Sequence, residues 1–125
     1  MNRFILISIG AALGANARYL VDLWAAGRFG ASFPYGTFLV NATGSLLLGF
    51  MVASAVGWLD ISPEVRLLVG VGFLGSYTTF SSLSVESIAM WQEGNFWHGV
   101  ANVVGTNVIG LLGALLGIYI GRVLG

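Results

Sequence analysis

Seven of the ten residues in the stretch GSYTTFSSLS, Gly75 to Ser84, carry a hydroxyl: Ser76, Tyr77, Thr78, Thr79, Ser81, Ser82 and Ser84. They lie inside the otherwise apolar run Leu67–Trp91. A single Ser or Thr in an apolar helix satisfies itself on the carbonyl four residues back; seven in ten exceed that explanation. The β-branched pair Thr78–Thr79, close to Gly75, favours local unwinding over regular helix. Unwound backbone inside a membrane offers carbonyl oxygens to a cation and half-helix ends to an ion. Two further polar sets have helical spacing. Thr37, Asn41 and Ser45 fall at i, i+4 and i+8, on one helix face. Asn102 and Thr106 repeat the i, i+4 pattern, with Asn107 beside them. Asn amides and hydroxyls are suited to replacing the water around an anion. They are equally suited to holding helices together in lipid, and spacing alone leaves both readings open.

Three charged residues lie within apolar runs: Arg18, Asp22 and Glu86. Arg18 has two readings, a snorkelling side chain with its head at the interface or a cation facing an aqueous vestibule and drawing anions toward a pore. Asp22, four residues on, is in helical reach of it. Glu86 is a functional candidate because a carboxyl in a membrane span is costly; it lies five residues from Trp91, within reach of interfacial water. Phe80 and Leu83 are three apart and share a face. Catalysis is not expected. With no cysteine there is no thiolate metal site, His98 stands alone near a span end, no His or carboxylate set has metal-ligand spacing, and no nucleophile has a base in support. Five Arg, no Lys and five acids sum to zero net charge, without the basic footprint of a nucleic-acid binder.

These residues need a membrane scaffold to position them. Of 125 residues, 57% are hydrophobic and only 8% charged, against roughly a quarter charged in a soluble domain. The expected fold is an all-α integral membrane protein, one transmembrane domain over 1–125. Four stretches reach the ~20 apolar residues that a span needs: Phe4–Trp24, Gly36–Trp58, Leu67–Trp91 and Trp97–Ile120. Every Trp falls at a span end, where its amphipathic ring prefers the headgroup level. The start, MNRFILISIGAALGA, has the order of a signal peptide, but its apolar run continues to Trp24, so a span is expected there. Turn and charge signals fill the connections AGRFGASFPY, LDISPEVR and QEGNF. Glycines at 10 and 14, and at 113, 117 and 121, make small-xxx-small faces for close helix packing.

Four spans put both termini and the second loop on one side, with Arg3, Arg66 and Arg122; Arg28, with Arg18 near it, lies on the other. That bias is too small to fix orientation strongly, and a chain that inserts both ways up permits an antiparallel homodimer. The third span has its midpoint at residue 79, so the hydroxyl run is centred at mid-membrane. In an antiparallel dimer the two-fold axis lies at that same depth, and carbonyls from two copies can enclose one cation.

GFLGSYTTFSS, followed by Ser84 and Glu86, resembles the third-helix signature of the small fluoride channels, the Fluc family. PYGTFLVNATG resembles their second-helix motif and GAALGANARY their first. The resemblance implies four transmembrane helices with the third broken at mid-membrane, and an antiparallel dual-topology homodimer in a bacterial plasma membrane. It also implies two fluoride pores and a central structural Na+ held by backbone carbonyls of Gly75 and Thr78. By the same likeness Asn41 is the pore asparagine and Phe80 the first of two pore phenylalanines. The implied pore set is Asn41, Phe80, Leu83, Thr37, Ser81, Ser84, Glu86, Asn102 and Thr106, with Arg18 in the vestibule. Phenyl edges carry the positive end of the ring quadrupole, which suits an anion. The family's usual TTFSTF reads TTFSSL here, so Leu83 stands where a second phenylalanine is expected, and Ser76 replaces a common glycine.

The function expected from this likeness is passive, selective fluoride export. A small dual-topology proton-coupled multidrug exporter is the alternative, although such exporters use a glutamate in the first span, where this chain has Arg18 and Asp22. A non-transporting assembly subunit, its polar stripes all serving as glue, leaves the hydroxyl run at mid-membrane unexplained.

Overall fold

The computed structural model describes residues 2–124, and every regular element among them is helical. Helix α1 is Arg3–Phe29 and α2 is Tyr35–Gly57. The third segment comes in two parts, α3 (63–77) and α4 (Phe80–Gln92), and α5 is Phe96–Val123. Taking Pro63–Gln92 as one unit, four helices are long and apolar enough to cross a membrane. The protein is a multi-pass membrane protein.

Local sequence explains most boundaries. Asn2 caps α1, its Oδ1 accepting from the Phe4 N–H at 2.7 Å. Helix α1 runs five residues past Trp24 and stops at Gly30, whose φ of 85° is a conformation glycine adopts without penalty. Ser62 caps α3 and Pro63 follows it at the first helical turn. From Arg66 to Leu74 the chain winds as a π-helix, a form used rarely and usually in short pieces. Helical geometry ends at Tyr77: Thr78 (φ −81°, ψ 159°) and Thr79 (φ −152°, ψ 118°) are extended. Thr79 then caps α4, its Oγ1 accepting from the Ser82 N–H at 3.1 Å.

Packing follows the glycines. Helix α2 runs along α5, and α1 along the π-helical part of α3. A Cβ on Gly113, Gly117 or Gly121 of α5 would meet backbone carbonyls of Ala42, Leu46 or Phe50 on α2. A Cβ on Gly10 or Gly14 of α1 would meet the carbonyls of Leu68 or Phe73 on α3. Both small-residue faces therefore serve as sites of close backbone approach. Two tryptophans tie segment ends together: Trp58 Nε1 donates to the Gly121 carbonyl at 2.6 Å and Trp91 Nε1 to the Phe96 carbonyl at 3.1 Å. The core is small, with Leu6, Ala25, Val40, Leu74, Leu83 and Met90 its buried apolar side chains, while most large apolar groups point outward. That inside-out distribution suits lipid and a protein partner rather than water.

Candidate ion path

The interruption at Thr78–Thr79 is where the third segment changes partners, from α1 on the α3 side to α5 on the α4 side. Extended backbone cannot satisfy its own polar groups, and in a membrane each needs a partner from elsewhere. Asn41 of α2 supplies two. Its Oδ1 accepts from the Thr79 N–H at 2.9 Å and its Nδ2 donates to the Thr79 carbonyl at 3.1 Å, in the manner of a one-residue strand pair. Gly44, one turn further along α2, leaves room for the Thr78 methyl. Arg18 of α1 donates its Nε–H to the Ser76 carbonyl at 3.1 Å, so it braces the end of α3 rather than merely lying at the interface. Tyr77 stacks on Phe73, and its hydroxyl lies 3.0 Å from Thr43 Oγ1. Thr43 already donates to the Leu39 carbonyl, so Tyr77 is the donor of that pair.

This arrangement leaves particular carbonyls without their helical donors. In a continuous helix the Thr79 N–H would serve the Gly75 carbonyl and the Ser82 N–H would serve that of Thr78. Here the first is given to Asn41 and the second to Thr79 Oγ1. The freed oxygens of Gly75 and Thr78 are hard donors of the kind an alkali or alkaline-earth cation takes.

The sequence-picked residues fall into three cavities and a buried cluster. Asn41, Phe80, Leu83 and Thr106 line one cavity of about 400 Å³ beside the interruption, together with Gly75 and Thr78. Thr37 and Glu86 line another of about 400 Å³ with Asp22, and Glu86 Oε1 is buried there without a hydrogen-bond partner. Ser84 lines a third, about 240 Å³, which shares Phe80 and Leu83 with the first. Ser81 lines none of these three cavities; its hydroxyl lies 3.3 Å from Thr79 Oγ1. Phe80 and Leu83 share a helix but differ sharply in exposure, at 76% and 5%.

Asn102 stands apart from the cavities, fully buried between α4 and α5. Its Nδ2 donates to Ser87 Oγ at 3.0 Å, Ser87 Oγ donates to the Leu83 carbonyl at 2.6 Å, and Thr106 Oγ1 donates to Asn102 Oδ1 at 3.4 Å. Reading the sequence missed Ser87. It lies beyond the hydroxyl run and, taken alone, looks like a serine bonded to its own helix. Its i+4 spacing from Leu83 was visible, but its bond to Asn102 spans two elements and was not. The polar groups thus form two connected sets, one around the interruption and one locking α4 to α5, joined through Leu83 and Thr106.

Comparison with known proteins identifies the family behind this arrangement. Residues 5–118 match the family model described as CrcB-like protein, Camphor Resistance (CrcB). The chain belongs to the CrcB family. A relative from Synechococcus sp., named fluoride-specific ion channel FluC, is 44% identical over 116 residues, covering 93% of this chain and 89% of its own. Proteins of the same name from Chloroflexus aurantiacus and Roseiflexus sp. are 42% and 45% identical, each covering at least 96% of both chains. The CrcB match thus takes in most of α1, all of α2 to α4 and most of α5, and with them every candidate residue above.

Proposed function

We propose that this CrcB-family protein is a passive, fluoride-selective channel and not an enzyme. It works as an antiparallel homodimer that lets cytoplasmic fluoride leave a bacterial cell. The observation that carries this reading is the interruption at Thr78–Thr79, clamped by Asn41 and opening onto a cavity lined by Phe80 and Thr106. The name shared by its relatives supports fluoride as the ion. Fluoride is small and strongly hydrated, so its passage requires several donors close together. Hydroxyls, an amide and aromatic edges supply them without a fixed positive charge that would trap the ion. Phe80, largely exposed in the single chain, is available to a second copy.

In this reading the third helix is broken at the membrane midplane, where two antiparallel copies meet on their two-fold axis. The Gly75 and Thr78 carbonyls of both copies face a central sodium ion, which holds the two breaks together. The donor set fits, since both oxygens have lost their helical N–H partners. Arg18 braces the neighbouring Ser76 carbonyl and adds positive potential near the entrance. Thr37 and Glu86 line the approach from the other end.

The test is fluoride efflux from proteoliposomes, read with a fluoride electrode. Efflux is expected without a proton gradient and without matching chloride flux. Equal chloride flux, or dependence on a proton gradient as in a coupled exporter, overturns the reading.

A further inference from the structure

We propose that Ser87 is a positioning residue that sets the resting direction of the Thr106 hydroxyl at the cavity beside the interruption. The inference rests on the channel reading above and extends it to a residue outside the expected pore set. Ser87 is 1% exposed and has a single hydroxyl proton, which it gives to the Leu83 carbonyl at 2.6 Å. Its oxygen is thereby left to accept only. The Asn102 side chain, also buried, must turn its N–H edge toward Ser87, and its nitrogen does so at 3.0 Å. The carbonyl edge of the same amide then faces the other way, toward Thr106, which donates to it at 3.4 Å. The ladder runs in one sense, from Thr106 through Asn102 and Ser87 to the backbone of α4.

The last rung is the consequential one. Thr106 lines the 400 Å³ cavity with Asn41 and Phe80. With its proton directed at Asn102, it shows lone pairs to that cavity at rest. Its bond is also the longest of the three, beyond the ~3.0 Å usual for an O–H donor and therefore weak. An arriving anion therefore turns the Thr106 O–H toward itself at the expense of a weak bond, and the proton returns to Asn102 when the ion leaves. A donor that can be withdrawn assists release as well as entry, and conduction requires both.

Removing the Ser87 hydroxyl reverses this logic. Without an acceptor at Ser87, the Asn102 amide is free to flip and donate to Thr106 Oγ1. The Thr106 proton then points permanently toward the cavity, and the anion is held more tightly.

The experiment is fluoride efflux from proteoliposomes as a function of internal fluoride, for the full chain and four variants. Ser87→Ala is expected to lower the half-saturating fluoride concentration and the maximal rate by about 2- to 10-fold, the size of one hydrogen bond. Ser87→Thr, which keeps the hydroxyl, is expected to restore both. In a Thr106→Val background, Ser87→Ala is expected to change neither quantity, because the hydroxyl it acts through is gone. A purely structural role would instead lower the rate with no change in half-saturation, would persist in the Thr106→Val background, and would overturn the proposal. An unchanged Ser87→Ala channel also overturns it while leaving the channel reading intact; absence of fluoride efflux in the unsubstituted protein overturns the channel reading itself. If Ser87→Ala does not assemble, Ser87→Cys carries the same expectation at smaller size, since its thiol fills the site but accepts weakly.

Discussion

On one side of the interruption, α3 meets α1 backbone to backbone. Gly10 and Gly14 stand against the carbonyls of Leu68 and Phe73, and Gly72 packs its own backbone against that of Gly10. On the other side, α4 meets α5 through side chains, with the buried ladder of Ser87, Asn102 and Thr106 between them and cavities on both flanks of Leu83. Lipid gives helices no hydrophobic reason to associate, so close approach of small residues and interhelical hydrogen bonds are the two means left. The third segment uses one means in each half. The half without space is suited to holding still, and the half with space and adjustable hydroxyls is suited to handling an ion. Thr78 and Thr79 mark the change, held by Asn41 from a third helix.

The sharpest way to break this contrast is to add one carbon on the closed side. In Gly14→Ala the new Cβ meets the Phe73 carbonyl, and neither backbone has a flexible end that can give way. A loss of about 3 kcal/mol or more is expected, read as loss of folded protein on size-exclusion chromatography and a lowered thermal midpoint in detergent. Gly27→Ala, on the same helix, is the control. Nothing lies within 4 Å of its new methyl, and replacing a helical glycine there is neutral or stabilises by up to about 1 kcal/mol. If the two variants behave alike, close approach is not what holds α1 to α3.

A comparable loss is expected where the two halves join. Asn41→Leu leaves the Thr79 N–H and carbonyl without partners, at about 1–3 kcal/mol for each orphaned group. Asn41→Asp keeps the acceptor for the N–H but sets a second oxygen against the Thr79 carbonyl, and it adds a negative charge beside the cavity. Fluoride flux is expected to vanish in both variants, with more assembled protein remaining in Asn41→Asp. Flux at the unsubstituted rate in Asn41→Asp would remove Asn41 from the ion path.

Much of this was legible from residue types. The apolar runs closed by Trp24, Trp58 and Trp91, and the one opened by Trp97, marked four helices, and the spacing of Gly10 with Gly14 and of Gly113 with Gly117 marked close approach. Asn41 stood out because an amide in hydrocarbon needs a partner. What the sequence did not reveal was which partner. The bond from Arg18 reaches 58 residues along the chain and that from Asn41 reaches 38, and no local pattern encodes such distances. Asp22, four residues after Arg18, looked the natural mate by helical spacing. The structure instead places Arg18 on the Ser76 carbonyl and Asp22 against Gly36. The π-helical winding of Arg66–Leu74 also has no signature in composition; it accompanies the fit of Gly70 and Gly72 against neighbours that only the assembled fold provides.

The open side gives the gentlest test. Leu83 is buried, yet it lies between cavities of about 400 and 240 Å³. Leu83→Phe therefore adds a ring where space exists, in contrast to the single methyl of Gly14→Ala. Its cost to stability is expected to stay below about 1.5 kcal/mol, the range of tolerated apolar swaps, with the elution position unchanged on chromatography. Conduction is expected to respond all the same, because a phenyl edge is a partner for an anion and a leucine methyl is not. Fluoride flux that stays at the unsubstituted rate, in a variant that assembles normally, would mean that the side chain at position 83 faces the protein and not the ion. The adjustable half of the span would then owe its function to the hydroxyls and amide of the ladder, and the leucine would be part of its packing.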